Sequence, residues 1–267
     1  MQKFNIGRTL SRSFQIIGNG IGNVGVFLLI ASVVNAAVSL LVQSAMVSEL
    51  TQIANPADPT AALKIFTSVW YWLSLLFSLA IGAVMYSGSI HGYLRVADGT
   101  PTSIGDCVRV GFAKLLPMMG LTVLWIIGIS FASMLLVVPG IILATMWVAA
   151  MPALVGEGLG VSASFGRSRN LTRGSRWSVF GVLFVLLVVF YILMAVVLGG
   201  VIGGTVMGGG FDLDKLAGMA NPLTVFASAL IGWATSMLLS AVVTSIYVEL
   251  VEVNEGGTTG KLGEVFE

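Results

Sequence analysis

One cysteine and one histidine in 267 residues already exclude several chemistries. Cys107 alone can form neither an internal disulfide nor a cysteine zinc cage, and His91 alone excludes a two-histidine metal site. Charge is scarce as well: 9% of residues are Asp, Glu, Lys or Arg, against about 25% in soluble domains. No G-x-S-x-G elbow and no H-E-x-x-H motif occurs, and no nucleophile–base pair is visible. These gaps point away from an enzyme and imply neither a metal nor a cofactor. What the chain has in abundance is apolar sequence: 57% of it is hydrophobic and the mean hydropathy is +0.98.

The apolar residues are gathered in runs long enough for a helix to cross a hydrocarbon core of about 30 Å. The runs are continuous (VLFVLLVVFYILMAVVL is one), without the dyad alternation of a transmembrane β-barrel. The expected fold is an all-α integral membrane protein, a six-helix transmembrane bundle forming a single domain over 1–267. Spans are expected at about 24–47, 66–90, 116–138, 140–156, 178–204 and 223–248. The first is longer than a signal-peptide core, so it reads as a retained span. Pro139-Gly140 is a turn signal between the third and fourth runs. A re-entrant hairpin over 116–156 is the alternative to two full spans there.

Charge placement gives the orientation. Eleven of the 13 Lys and Arg fall on one side of this arrangement, and only Lys64 and Lys215 on the other. The positive-inside rule makes both termini cytoplasmic. Three of the basic segments resemble one another: FNIGRTLSRSFQII, TSIGDCVRVGFAKLL and VSASFGRSRNLTRG. In the first two, Ile6, Gly7, Leu10, Phe14 and Ile17 match Ile104, Gly105, Val108, Phe112 and Leu115, one helical stripe. Ser103 and Asp106 have capping-box spacing. This is a weak threefold internal repeat, read as amphipathic interfacial helices at about 4–17, 102–115 and 161–172, each preceding a helix pair.

Arg8, Arg12, Arg109, Lys114, Arg167, Arg169, Arg173 and Arg176 are the candidate contacts to phospholipid headgroups or a membrane partner. Each charge near an anionic leaflet contributes about 1 kcal/mol. Nucleic acid is not an expected partner, because the basic stretch FGRSRNLTRGSRW is a short membrane-side connection with no recognition fold. Glu157, at the end of the fourth run, is an ion-pair candidate. So is the face carrying Glu249, Glu252 and Glu255 at the end of the sixth.

Within the spans, small and weakly polar residues recur every fourth position. They are Asn35, Ser39 and Gln43 in the first; Ser74, Ser78 and Gly82 in the second; Ser228, Gly232, Ser236, Ser240 and Thr244 in the sixth. Such stripes let helices approach closely in lipid, or they line a polar path. No ionisable residue lies near the centre of any span, which favours packing over a coupled path. Trp70, Tyr71, Trp72 and Trp177 sit where aromatic side chains anchor at the headgroup level.

Two glycine patterns imitate nucleotide sites. Gly20, Gly22 and Gly25 have G-x-G-x-x-G spacing but lead into a span rather than out of a strand, so they read as a flexible corner. EGGTTGKLG lacks P-loop spacing and the Ser or Thr after its lysine.

FNIGRTLSRSFQIIG, VVPGIILATMWVAAMPALVGEGLG and SFGRSRNLTRGSRWSVFG together resemble the YciC-like family of uncharacterised bacterial inner-membrane proteins, and the membrane domain attached to some glycerophosphodiester phosphodiesterases. The resemblance implies a multi-pass protein of the bacterial inner membrane and supplies no reaction, since the phosphodiesterase barrel is absent. The expected function is non-enzymatic, engaging phospholipid headgroups, a membrane partner or a second copy through the basic helices. The alternative is a transporter or channel for a small solute or lipid.

Overall fold

The computed structural model describes residues 4–53, 65–207 and 222–256. The two connections carrying Lys64 and Lys215, the side chain of Gln43, and the segment beyond 256 lie outside the described residues. Every regular element among the described residues is helical. Five helices are long and apolar enough to cross a membrane, and a sixth qualifies if one bent pair counts as a single span.

Helix α1 (Ile6–Gly20) begins at Asn5, whose side chain accepts the Arg8 N–H, the usual N-cap device. The expected flexible corner at Gly20–Gly25 is not one. A π-helical turn, Ile21–Gly25, carries α1 into α2 (Val26–Ile53). From Ile6 to Val42 the chain is one helix of 37 residues, about 55 Å long at 1.5 Å per residue. That exceeds a hydrocarbon core of about 30 Å, so α1 must project beyond it.

Helix α3 (Val69–Ala97) runs seven residues past the apolar run, because Tyr93 and Leu94 are buried. Helix α4 (Ile104–Ala113) starts at the expected capping box: Ser103 Oγ accepts the Asp106 N–H and Asp106 Oδ2 accepts the Ser103 N–H. It leads through Lys114 into α5 (Leu115–Leu135).

Leu136, in extended conformation, reverses the chain into α6 (Val137–Trp147). The reversal therefore precedes Pro139-Gly140 instead of using it. Pro139 lies in the first turn of α6, where its missing N–H has no intrahelical partner to lose. Gly140 lies against Ser133 of α5, leaving no room for a side chain.

A break at Val148–Ala149 separates α6 from α7 (Ala150–Gly156). Backbone groups opened there need partners. Ser168 supplies them from α8 (Val161–Leu171): its hydroxyl donates to Met146 O at 2.7 Å and accepts the Ala149 N–H at 3.1 Å. Helix α8 meets the first part of α9 (Arg176–Met207) at 106°. Helix α10 (Pro222–Glu255) then returns along α2, α3 and α1.

Helices α1, α4 and α8 turn small residues inward. α1 buries Thr9 and Ser13, α4 buries Cys107 and Gly111, and α8 buries Ser164 and Ser168. Phe14 and Phe112, from the expected apolar stripes, are exposed, which in a bilayer directs them at lipid. Thr9, Ser13 and Ser164 bond back to their own turns, as where Ser13 Oγ donates to Thr9 O at 2.8 Å, while Ser168 bonds across to the α6–α7 break.

Two close helix contacts run through glycines that the stripe pattern overlooks. A Cβ on Gly88 would lie 2.5 Å from Cys107 O and 2.7 Å from Phe27 Cζ, and one on Gly92 would lie 2.5 Å from Val24 Cγ2. Gly88→Ala should therefore destabilise the protein by about 1–3 kcal/mol, the usual cost of overpacking. Gly82→Ala, where a Cβ meets nothing within 4 Å, should be neutral or stabilising by up to about 1 kcal/mol. Thermal unfolding of the two variants in detergent checks the contrast.

Candidate functional site

Three polar features stand out: an ion-pair layer at the end of α10, a basic hollow at the α8–α9 corner, and a cavity between α2, α3 and α10. Glu249, Glu252 and Glu255 recur every three residues, so the end of α10 presents a carboxylate face to its neighbours. From α1, Arg8 Nη1 reaches Glu249 Oε1 at 3.3 Å. Arg12 Nη2 donates to both oxygens of Glu252 at 2.9 Å. Its Nη1 faces Glu249 Oε2 at 3.5 Å, close enough to pair though outside hydrogen-bond geometry. The Asn5 N–H also donates to Glu249 Oε1, at 3.3 Å. Glu249 is 0% exposed, so its charge depends wholly on these partners.

On the other side of α10, Arg167 of α8 joins two carboxylates. Its Nε donates to Glu157 Oε1 and Oε2 at 2.8 and 2.9 Å, and its Nη2 lies 2.6 Å from Glu255 Oε1. The Tyr247 hydroxyl donates to Glu157 Oε1 at 2.7 Å, a partner that sequence spacing does not reveal. Of the eight cations expected at headgroups, Arg8, Arg12 and Arg167 are thus committed to carboxylates of the protein.

The other five have no acidic partner among the described residues. Arg109 is exposed on α4, and Lys114 sits at the joint with α5. Arg169, Arg173 and Arg176 gather with Asn170, Gly174 and Trp177 around a hollow of about 560 Å³. Gly174, at φ +94°, provides a backbone conformation that side chains disfavour, and so makes the sharp corner. Asn254 of α10 fixes the corner by donating to Leu171 O at 3.0 Å. Arg169 and Arg173 are exposed, Trp177 is 86% exposed, and Arg176 Nε is buried without a hydrogen-bond partner among the described residues.

The stripes of the first, second and sixth spans meet around a cavity of about 590 Å³. Asn35 and Ser39 come from α2, Ser78 and Gly82 from α3, and Ser228, Gly232 and Ser236 from α10. Ser74 lies outside it and donates to Tyr71 O. Ser240 and Thr244 are buried in the packed part of α10, donating to Ser236 O and Ser240 O. The α10 stripe therefore lines a cavity at one end and packs at the other. Met85 lies between the cavity and a buried cluster with Phe27, Leu28, Tyr93 and Met237. Trp233 Nε1 donates to Gly25 O at 2.8 Å beside this cluster. No charged residue among the described residues lines the cavity.

Near the basic end of α3, Asp98 is a titratable group with no conspicuous sequence signal. Burial pushes its carboxyl up to about 6, against the opposing pull of the Arg95 charge. No group of three or more His, Cys, Asp or Glu among the described residues could hold a metal.

Two predictions follow from these charges. Glu249→Ala, which removes the carboxylate that Arg8, Arg12 and the Asn5 N–H share while Glu252 still holds Arg12, should destabilise the protein by about 1–3 kcal/mol, measured by thermal unfolding in detergent. Asp98 has a raised folded pKa, so its penalty is absent below about pH 4 and complete above about pH 6. Asp98→Asn should raise stability at pH 7 and leave it unchanged at pH 4, with the difference appearing between those values in a pH series of melts.

No family model matches the chain, and no curated protein or solved structure matches it either.

Proposed function

We propose that this chain is a non-enzymatic multi-pass protein of the bacterial inner membrane that engages anionic phospholipid headgroups at its cytoplasmic face. The observation that carries the reading is the hollow formed by Arg169, Arg173, Arg176 and Trp177. Its cations lack acidic partners among the described residues, whereas Arg8, Arg12 and Arg167 are matched by Glu249, Glu252, Glu157 and Glu255. Arginine suits phosphate because its planar fork presents paired donors, and an exposed tryptophan suits the headgroup level. Positive charge concentrated on one side supports a position for the hollow at the cytoplasmic leaflet, where anionic lipid would attract it.

The same reading includes the threefold repeat. The buried pairs Thr9/Ser13, Cys107/Gly111 and Ser164/Ser168 occupy the fourth and eighth positions of α1, α4 and α8. The ninth position is exposed in all three: Phe14, Phe112 and Arg169. On this alignment the third helix carries a cation where the first two carry a lipid-facing aromatic ring, which supports a headgroup role for Arg169. The resemblance to the YciC-like family agrees with this location but adds no activity. Transport is the second reading. The cavity favours it, but transport would need a route past the buried cluster around Phe27 and Met237.

Full-length protein in nanodiscs, compared by native mass spectrometry with and without Arg169, Arg173 and Arg176 changed to Gln, tests the proposal. Wild type should retain phosphatidylglycerol in preference to phosphatidylcholine, and inorganic phosphate should not displace it. At about 1 kcal/mol per charge, the triple change should weaken retention by up to about a hundredfold. Equal retention of phosphatidylglycerol by the triple variant and wild type would sink the idea.

A further inference from the structure

We propose that the cavity between α2, α3 and α10 is a binding site for the head of an uncharged, hydroxyl-bearing lipid of the acylglycerol class. Its volume of about 590 Å³ falls within the roughly 300–1,000 Å³ of small-molecule sites. The strongest indication is Ser32, which lines the cavity, is 4% exposed, and has an Oγ with no hydrogen-bond partner among the described residues. Asn35 Oδ1, on the next turn, is likewise buried without a partner. Most serines in helices bond back to a carbonyl of the preceding turn, as Ser240 does. Ser32 does not, and a buried polar atom left this way is costly unless something else completes it.

The glycines argue against simple close packing. Gly88 and Gly92 have no room for a Cβ, whereas Cβ atoms on Gly82 and Gly232 would meet nothing within 4 Å. Glycine in a helix interior is unfavourable without a reason, and here its effect is to widen the cavity. The chemistry of the lining selects the occupant. Among the described residues no Asp, Glu, Lys, Arg or His lines it, so a phosphate or ammonium head would meet no counter-charge from them. Serine hydroxyls and an asparagine amide instead offer donors and acceptors to neutral hydroxyls. Ala36, Leu40, Ile81 and Ala229 supply apolar surface for the start of a chain. All three walls belong to helices long and apolar enough to span a bilayer, so the matching ligand is a lipid rather than a dissolved solute.

The test is photolabelling of the purified full chain in dodecyl maltoside with a monoacylglycerol carrying a diazirine in its chain. The expected label lies on α2, α3 and α10. Excess mono-oleoylglycerol should remove it, while lysophosphatidylglycerol and glycerol should not. Gly232→Leu and Gly82→Leu, placed in open space, should each cut labelling at least tenfold without lowering the melting temperature. Ser32→Ala should cut it several-fold, and Gly18→Leu, exposed on α1, should leave it unchanged. Labelling of both leucine variants at the wild-type level would overturn the proposal. So would competition by the charged lysolipid or by glycerol equal to that of mono-oleoylglycerol. The headgroup hollow contributes no residue to this site, so the Arg169, Arg173 and Arg176 variant should label as wild type does.

Discussion

The arrangement at the basic end of the molecule depends on one buried carboxylate. Glu249 sits at the end of a long apolar helix with no water contact, held by two arginines and a backbone N–H from α1. A charge taken out of water needs that full set of partners, because the desolvation penalty is several kcal/mol per ion. Meeting it fixes the relative position of α1 and α10, two elements more than 200 residues apart in the chain. Arg167 does the corresponding work on the other side, joining α8 to both Glu157 and Glu255. In lipid, where apolar surface gives helices little reason to choose one neighbour over another, these charged contacts supply the selectivity.

Much of this was legible from the chain alone, because the membrane imposes strong rules. Long continuous apolar runs become helices, since a helix satisfies its backbone within the segment and the alternation of a barrel is missing. The Ser103–Asp106 cap was readable from spacing, and so was the pairing tendency of Glu157 and the α10 carboxylates. What could not be read depended on partners distant in sequence. Gly88 and Gly92 look no different from Gly82 in the sequence, yet the first two are crowded and the third is open. That difference is made by Phe27, Val24 and Cys107, which approach only once the bundle forms. Pro139-Gly140 reads as a turn, but proline also suits the first turn of a helix, and the backbone reverses earlier at Leu136. The GNGIGNVG stretch reads as a corner, yet its residues continue as a π-helical turn, with Val24 and Gly25 buried against neighbouring helices.

The arginines show the same limit. Positive-inside counting treats them as equivalent, which is adequate for sidedness and inadequate for function. Geometry separates those that neutralise carboxylates from those left facing outward. Arg167 and Arg169 are two residues apart on one short helix, yet the first is held by Glu157 and Glu255 and the second is exposed. A helix places successive residues about 100° apart, so this split follows from a single rotation of α8. That rotation is set in turn by Ser164 and Ser168 facing inward, with Ser168 completing the broken backbone between α6 and α7.

A small residue facing a membrane interior has two opposite uses, and hydrogen bonding tells them apart. Where Ser240 and Thr244 bond back to their own helix, their polarity is spent and the surface they leave is effectively smooth, suited to a neighbouring helix. Where Ser32 and Asn35 keep polar atoms uncommitted, the surface remains chemically specific, and the open glycines Gly82 and Gly232 beside them keep other side chains at a distance. The same stripe on α10 changes from one use to the other between Ser236 and Ser240. The bundle is therefore built with a packed half that holds the ion-paired end together and a hollow half in which Ser32 and Asn35 keep polar atoms that the described fold does not use.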